Sequence, residues 1–151
     1  MKKNSYFLGL LLLQLSMAFY DHFFRYSDQA IFEQGKAIRG GIPLVWPQFG
    51  PGPLPQHGFA RVKTWRVGEK NTSGDVSVEL HLSNDEDTLK LWPHKFNLTL
   101  TVRLTPKSLV QELKVDNQDD HAFEFAALYH TYFAVDDIKT TKMYLYCIEK
   151  V

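Results

Sequence analysis

Residues 96–104, FNLTLTVRL, alternate strictly between apolar and polar side chains. Every second residue from Phe96 to Leu104 is apolar, and the residues between them are Asn, Thr or Arg. Because successive side chains of a strand point to opposite faces of a sheet, the pattern predicts a strand over residues 95–105 with one buried and one solvated face. A single solvated face is typical of antiparallel sheets.

The segments on both sides extend this pattern into a meander of antiparallel strands. Four further segments are predicted strands: residues 65–69, 75–83, 109–115 and 121–133. Pro106–Ser108 and Asn117–Asp120 predict turns. Asn84 or Asp85 is the predicted N-cap of a short helix that ends near Pro93. The fold class that follows is all-β, an antiparallel β-sandwich or an open part of one.

Composition excludes several classes of protein. The 151 residues include 17 basic and 17 acidic side chains, for a net charge of zero, and 44% are hydrophobic. This argues against a disordered tail and against a basic protein that coats nucleic acid, so no nucleic-acid partner is expected. The length suits one domain. Cys147 is the only cysteine, so no intrachain disulfide can form and a cysteine-based zinc site would lack its other sulfur ligands.

The first 20 residues differ from the rest of the chain. Lys2 and Lys3 precede an apolar run over residues 6–15, and Ser16–Ala18 supplies small residues, which is the order of a secretory signal peptide. The alternatives are an amphipathic or buried segment, or an aberrant start of the reading frame. The run is shorter than the ~20 residues of a spanning helix, so no stable membrane span is expected.

Residues 36–61, KAIRGGIPLVWPQFGPGPLPQHGFAR, contain five of the 7 prolines. Proline lacks a backbone donor, so this segment, here called the proline loop, is predicted to be a rigid loop rather than a helix or central strand. Rigid loops on a sheet commonly carry binding residues. Arg39 and Arg61 suit an anionic ligand such as phosphate, with Gln56 and His57 beside them. The alternative is that each arginine pairs with a local carboxylate.

Four separated motifs resemble the glucose-6-phosphate 1-epimerase family of the aldose 1-epimerase group. They are Arg39–Pro43, Trp46–Gly50, Gln56–Arg61 and Ala127–Phe133, in the family's order. The resemblance covers residues 24–138 and leaves residues 139–151 as an unmatched tail. It implies part of a galactose mutarotase-like supersandwich and an isomerase that interconverts the α and β anomers of a hexose 6-phosphate.

The resemblance also implies roles for single residues. His130 matches the family's general acid on the pyranose ring oxygen, and His57 matches a second active-site histidine that helps to hold the sugar. Arg39 and Arg61 match arginines that grip the substrate at its 6-phosphate, and Gln56 is a candidate contact to a hydroxyl. A histidine can exchange protons near neutrality, which suits the acid. Neither a metal nor a cofactor is implied. Without the resemblance, His130 among aromatic residues is more simply a packed core residue.

The chain departs from the family after Ile138. The family's general base is a glutamate in the C-terminal part of a longer chain, and the context of Glu149 does not match it. The apolar residues 1–20 also stand where the family has N-terminal strands, so we expect a domain truncated at both ends whose activity is weakened. The alternative functions are a non-catalytic sugar-phosphate or glycan-binding β-domain, or a non-functional fragment. A monomer in the cytoplasm is expected, since glucose 6-phosphate is intracellular and Cys147 offers no disulfide. Secretion is the alternative if residues 1–18 act as a signal peptide.

Overall fold

The computed structural model describes residues 5–14, 30–33 and 35–142, and for residues 5–14 it describes the backbone. It contains seven strands in these residues: β1 (Ser5–Gln14), β2 (Leu44–Val45), β3 (Arg66–Asn71), β4 (Val76–Ser83), β5 (Phe96–Leu104), β6 (Ser108–Asn117) and β7 (Leu128–Tyr129). A short 3-10 helix spans Ala60–Val62 and an α-helix, α1, spans Glu86–Leu91. The larger sheet has five antiparallel strands in the order β1-β6-β5-β4-β3, and β2 pairs with β7 in a second sheet.

The central strands lie where the alternation predicts them. In the β4–β5 pair Leu80 faces Leu100 and Leu82 faces Leu98, so the apolar side chains of both strands share one face. His81 faces Thr99 on the opposite face, where its Nδ1 lies 3.2 Å from the hydroxyl oxygen. The predicted antiparallel, all-β architecture is confirmed. The strand expected over residues 65–69 begins one residue later, at Arg66, and runs on to Asn71.

Side-chain hydrogen bonds fix the connections between these strands. Thr105 closes the β5–β6 hairpin, because its Oγ1 accepts from the N–H groups of Lys107 and Ser108. Asp85 is the N-cap of α1: its carboxylate accepts from the Thr88 N–H, and the Thr88 hydroxyl lies 2.8 Å from the Asp85 nitrogen. This reciprocal capping box satisfies amide groups that the first helical turn leaves without partners.

The prediction of one continuous strand over residues 121–133 is wrong, since only Leu128–Tyr129 forms a strand. The segment nevertheless lies antiparallel to the proline loop. Its N–H groups donate in a constant register: Ala126 to the Pro47 oxygen at 2.7 Å, His130 to Pro43 at 2.8 Å and Tyr132 to Gly41 at 2.9 Å. Pro43 and Pro47 have no N–H to donate in return, so the ladder on either side of β2 is one-sided.

The core lies between the apolar face of the larger sheet and these two segments. Trp46, fully buried, is at its centre, and its ring makes edge contacts with Phe59 at 5.5 Å, Trp92 at 5.0 Å and Phe96 at 4.5 Å between centroids. Such perpendicular aromatic pairs add roughly 0.5–1.5 kcal/mol each beyond their burial. The proline loop is therefore anchored to the sheet through its own tryptophan.

The N-terminal segment pairs with the sheet. β1 runs antiparallel to β6 at the outer edge, with Ser5 opposite Asp116 and Gln14 opposite Ser108. Sequence patterning did not predict this pairing. The division of the chain at residues 20, 24 and 138 and the signal-peptide interpretation remain predictions, and residues 1–4, 15–20 and 143–151 lie outside the described residues. Within the part of the chain that the structure describes, no helix is long and apolar enough to cross a membrane.

Candidate functional site

A cavity of about 420 Å³ opens where the proline loop meets the segment that follows β7. All five residues singled out in the sequence line it: Arg39, Gln56, His57, Arg61 and His130. The other lining residues are Ile31, Lys36, Ala37 and Tyr132. The structure therefore brings together side chains that the sequence places in three separate motifs. A volume in the range of roughly 300–1,000 Å³ is typical of small-molecule sites.

Gln48 holds the proline loop closed upon itself. Its Nε2 donates to the backbone oxygens of Gly50 and Leu54, each at 2.9 Å, and its Oε1 accepts from the Leu54 N–H at 3.1 Å. One amide side chain thus supplies three hydrogen bonds across a loop that has few backbone donors of its own. These bonds fix the backbone of residues 48–54 and so help to position Gln56 and His57, which follow in the chain and line the cavity.

Two consecutive residues with positive φ turn the chain into the cavity wall. His57 has φ +70° and Gly58 has φ +67°. A Cβ on Gly58 would lie 2.1 Å from the Trp46 carbonyl oxygen, which accepts from the Phe59 and Ala60 N–H groups at 3.0 and 3.2 Å. Only glycine fits there. His57 is a non-glycine residue in the left-handed region, an uncommon conformation that is concentrated at functional sites.

The His57 ring is fixed on one side by Phe49. The two rings stack at 5.6 Å with an interplanar angle of 17°, and His57 Nδ1 lies 2.7 Å from the Phe49 carbonyl oxygen. A carbonyl oxygen only accepts hydrogen bonds, so Nδ1–H is the donor. The neutral imidazole therefore has its lone pair on Nε2, which can accept a hydrogen bond from a ligand hydroxyl.

His130 is positioned by its backbone and by its ring neighbours. Its N–H donates to the Pro43 oxygen, and its half-buried ring lies 5.4 Å from the His57 ring and 5.1 Å from the Tyr132 ring. Among the described residues, no side chain or carbonyl hydrogen bonds to its imidazole nitrogens. The ring is thus held in place while its nitrogens stay available to a ligand.

The cavity is cationic. Arg39 is exposed and makes no ion pair or hydrogen bond with the described residues, and Arg61 reaches only the Gln56 carbonyl oxygen, 3.2 Å from its Nη2. Arg61 Nε is buried without a hydrogen-bond partner in the same part of the chain. The alternative in which each arginine pairs with a carboxylate is therefore not found among these residues. Two guanidinium groups that line one cavity without a carboxylate partner among the described residues favour an anionic ligand.

Lys36 and Tyr132 are lining residues that the sequence did not single out. Tyr132 lies two positions after His130, and in an extended segment this spacing places both side chains on one face, so the signal was present. Lys36 lies three residues before Arg39, outside the motifs. Its ammonium forms an ion pair with the Glu33 carboxylate at 2.7 Å. No carboxylate among the described residues lines the cavity.

Tyr129 stands next to His130 but belongs to the core. Its hydroxyl is buried without a hydrogen-bond partner among the described residues. Burial raises the pKa of Tyr129 to about 12, with a further contribution from the charge of Glu112. The phenol is therefore protonated at neutral pH and does not serve as a base there.

Comparisons with known proteins agree on one family. The sequence profile described as "Aldose 1-epimerase" matches residues 15–146. A protein of Cenchrus ciliaris and one of Escherichia coli K12, each named "Putative glucose-6-phosphate 1-epimerase", are 42% and 38% identical to this chain. The matches cover 78% and 74% of this chain but 39% and 38% of those proteins. The chain thus spans about two fifths of the length of these relatives.

Two solved structures share the fold. The crystal structure of "a putative mutarotase" from Salmonella typhimurium has a TM-score of 0.66 at 36% identity, over 75% of this chain and 38% of that one. The Slr1438 protein of Synechocystis sp. PCC 6803 has a TM-score of 0.67 at 30% identity, over 72% of this chain and 42% of that one.

Proposed function

Because the chain belongs to the aldose 1-epimerase family, as its motifs predict, we propose that the cavity binds a hexose 6-phosphate, with glucose 6-phosphate the first candidate. We choose this sugar phosphate as the candidate ligand because the relatives are named for it. The observation that carries the proposal is the pair of arginines, Arg39 and Arg61, which face one cavity without a carboxylate partner among the described residues.

The phosphate is assigned to the cationic side of the cavity. Arg39 and Arg61 are always protonated and present planar forks of N–H donors, which suit the oxygens of a phosphate. A dianion would bind the Arg61 guanidinium, whose one hydrogen bond to the described residues goes to the Gln56 carbonyl oxygen. Lys36 adds a third positive charge to the cavity, but the Glu33 carboxylate competes with the phosphate for its ammonium group.

The sugar ring is assigned to the two histidines. His57 Nε2 accepts from a hydroxyl, since its Nδ1–H is committed to the Phe49 carbonyl, and Gln56 contributes a further polar contact. His130 then acts as the general acid on the ring oxygen. Tyr132 packs beside His130 and offers a flat apolar face to the sugar.

The chemistry is an acid–base opening of the pyranose. A base takes the proton of the C1 hydroxyl, the bond between C1 and the ring oxygen breaks, and His130 donates its proton to that oxygen. The open aldehyde then rotates about the C1–C2 bond and the ring closes on the other face of C1, with the protons returned. Each acid or base typically contributes about 100- to 10,000-fold.

The base is the part of this scheme that the described cavity lacks. Since no aspartate or glutamate lines it there, this chain is expected to bind the sugar phosphate and to epimerise it slowly. This observation favours, as the second candidate function, a sugar-phosphate-binding domain with little turnover. In either case the ligand is an intracellular metabolite, so we infer that the protein acts in the cytoplasm.

Anomer exchange measured by magnetisation transfer between α- and β-glucose 6-phosphate tests the proposal. The full chain is expected to accelerate exchange far less than a complete acid–base pair would, because the missing base alone removes about 100- to 10,000-fold. His130→Ala is expected to abolish this acceleration, whereas His81→Ala, a histidine on the polar face of the sheet, is expected to retain it. Equal acceleration by the wild-type chain and His130→Ala would remove His130 from the reaction. Rapid exchange by the wild-type chain would contradict the missing base.

A further inference from the structure

A second cluster of imidazole and carboxylate side chains lies where β5 begins and β6 ends. His94 precedes β5, and Asp119 and His121 follow β6. One donor atom from each residue lies within 4.8 Å of the others. None of the three lines the cavity described above, and the sequence alone assigns them no role.

The strand register explains why these residues meet. Phe96 faces Asn117 in the β5–β6 pair, so two residues beyond this pair His94 comes opposite Asp119. His94 Nδ1 lies 3.2 Å from Asp119 Oδ2. The Asp119 side chain is only 10% exposed, and among the described residues His94 is the only partner of its carboxylate. A nearly buried carboxylate has more acceptor capacity than one imidazole uses.

The backbone around the cluster is held by Asn117. Its Oδ1 accepts from the Asp119 N–H at 2.8 Å, and its Nδ2 donates to the His121 oxygen at 2.9 Å. One side chain therefore clamps both ends of the turn that presents two of the donors. On the other side, the His94 ring packs against Trp92 at 4.5 Å and Phe123 at 5.1 Å. The His94 ring and the backbone of the turn are thus fixed before a metal ion binds, which lowers the cost of forming the site.

We propose that His94, Asp119 and His121 bind a zinc ion, with water as the fourth ligand. Two imidazoles and a carboxylate are a donor set that Zn²⁺ commonly accepts, with bonds of roughly 2.0–2.2 Å. With such bonds, two donors 3.2 Å apart subtend about 100° at the metal, close to a tetrahedral angle. The ion takes the place of the hydrogen bond between His94 and Asp119, and the exposed His121 ring rotates to complete the site.

The proposed ion stabilises the fold. It ties the residue before β5 to the turn after β6, and so it favours the folded state by mass action. The proposal is independent of the sugar phosphate, because the two sites share no residue.

The test is a titration of the untagged full chain, since a polyhistidine tag would itself bind metal. Zn²⁺ binding is followed by calorimetry, and Co²⁺ binding by the visible absorption of a tetrahedral complex. We expect one ion per chain. His121→Ala and Asp119→Asn are each expected to weaken Zn²⁺ at least about 10-fold, the lower bound known for residues that only support metal ligands.

Two controls locate the ion. His81 forms a pair with Glu79 at 3.5 Å, and no third donor joins them among the described residues, so His81→Ala is expected to leave Zn²⁺ affinity unchanged. His57→Ala tests the histidine pair in the cavity and is also expected to have no effect. Because the His121 side chain is exposed, His121→Ala is expected to fold even if Asp119→Asn does not. No saturable binding, unchanged binding by His121→Ala, or loss of binding in His57→Ala would each overturn the proposal.

Discussion

The rings of His57 and His130 lie 5.4 Å apart between centroids, tilted by 59°, in the wall of one cavity. His57 reaches this position through a left-handed turn of the proline loop, and His130 through a hydrogen bond from its backbone to the same loop. The two imidazoles are thus set by the register between two segments that are distant in sequence. This relationship defines where a sugar ring lies in the proposed function.

Arg61→Ala is predicted to weaken glucose 6-phosphate binding by about 10- to 150-fold, the equivalent of roughly 1.5–3 kcal/mol for a charge-assisted hydrogen bond. Binding of free glucose is predicted to change much less, because it lacks the phosphate. Calorimetric titrations with both ligands measure the difference. Arg66→Ala, an exposed arginine on β3, is the matched control. Equal weakening of both ligands by Arg61→Ala would remove the phosphate role.

Arg39 and Lys36 are predicted to contribute unequally. Arg39 has no ion-pair partner among the described residues, whereas Lys36 is paired with Glu33 at 2.7 Å and half exposed. Arg39→Ala is therefore predicted to weaken glucose 6-phosphate about 10-fold or more. Lys36→Ala is predicted to weaken it by only a few-fold, as for most exposed charges. Calorimetric titration with glucose 6-phosphate measures both losses of affinity. A larger loss in Lys36→Ala than in Arg39→Ala would show that the phosphate lies nearer to Lys36.

Gly58→Ala is predicted to destabilise the fold more than Gly74→Ala does. Both glycines have positive φ, so each substitution costs about 1–2 kcal/mol of backbone strain. A Cβ on Gly74 meets nothing within 4 Å, whereas one on Gly58 meets the Trp46 carbonyl at 2.1 Å. Urea denaturation measures the two losses. Equal losses would mean that the loop yields at Gly58 without cost.

Asp85 is predicted to stabilise α1 through its ionised form. Hydrogen bonds from Lys63 and then from the Thr88 N–H lower the pKa of Asp85 below its usual 3.8, so the contribution is full above that value and is lost as the pH falls through the lowered pKa. Asp85→Ala is predicted to cost about 1 kcal/mol at neutral pH.

Asp85→Asn keeps an oxygen for the cap and removes only the charge. Thermal unfolding from pH 7 to pH 2 is expected to show the wild-type chain more stable than Asp85→Asn at neutral pH, with the difference closing in acid. A difference that persists undiminished at the lowest pH would assign the effect to something other than the charge of Asp85.

The sequence contains two Asn-X-Ser/Thr sequons for glycosylation, Asn71-Thr72-Ser73 and Asn97-Leu98-Thr99, and they give a test of location. Asn71 is exposed, with its Nδ2 donating to the Asp75 oxygen, and Asn97 lies within β5 and accepts from the Ser83 hydroxyl at 2.6 Å. A cytoplasmic chain is predicted to carry no glycan, so deglycosylation of protein made in mammalian cells is expected to leave its mobility unchanged. A shift that Asn71→Gln abolishes would place the chain in the secretory pathway.

The strands of the sheet were predictable because alternation is local. The ends of β4 and β5 fall within one residue of the predicted segments, because the alternation within each segment is enough to define its apolar face. The prediction was wrong for residues 121–133, which are rich in aromatic side chains but form a strand only at Leu128–Tyr129. Their pairing depends on the proline loop, where Pro43 and Pro47 cannot return hydrogen bonds, and this becomes visible only when the two segments are aligned.

Five residues that line the cavity were predicted from the family motifs. Residue chemistry alone pointed to an anion-binding loop but did not identify His130 as part of the site. Tyr132 follows from the two-residue spacing to His130, but Lys36 lies outside the motifs and depends on the path of the chain before Arg39. The cluster of His94, Asp119 and His121 depends on the exact β5–β6 register. A slip of one residue would separate these side chains, and alternation alone does not fix the register to that precision.

A hexose 6-phosphate site in this cavity is tested most directly by calorimetric titration of the full chain with glucose 6-phosphate, glucose and inorganic phosphate at matched ionic strength. Glucose 6-phosphate is expected to bind more tightly than either of its parts, and the double substitution Arg39→Ala and Arg61→Ala is expected to reduce its affinity to that of glucose. Equal affinity for glucose 6-phosphate and glucose in the wild-type chain, or binding that survives the double substitution unchanged, would contradict a hexose 6-phosphate site in this cavity.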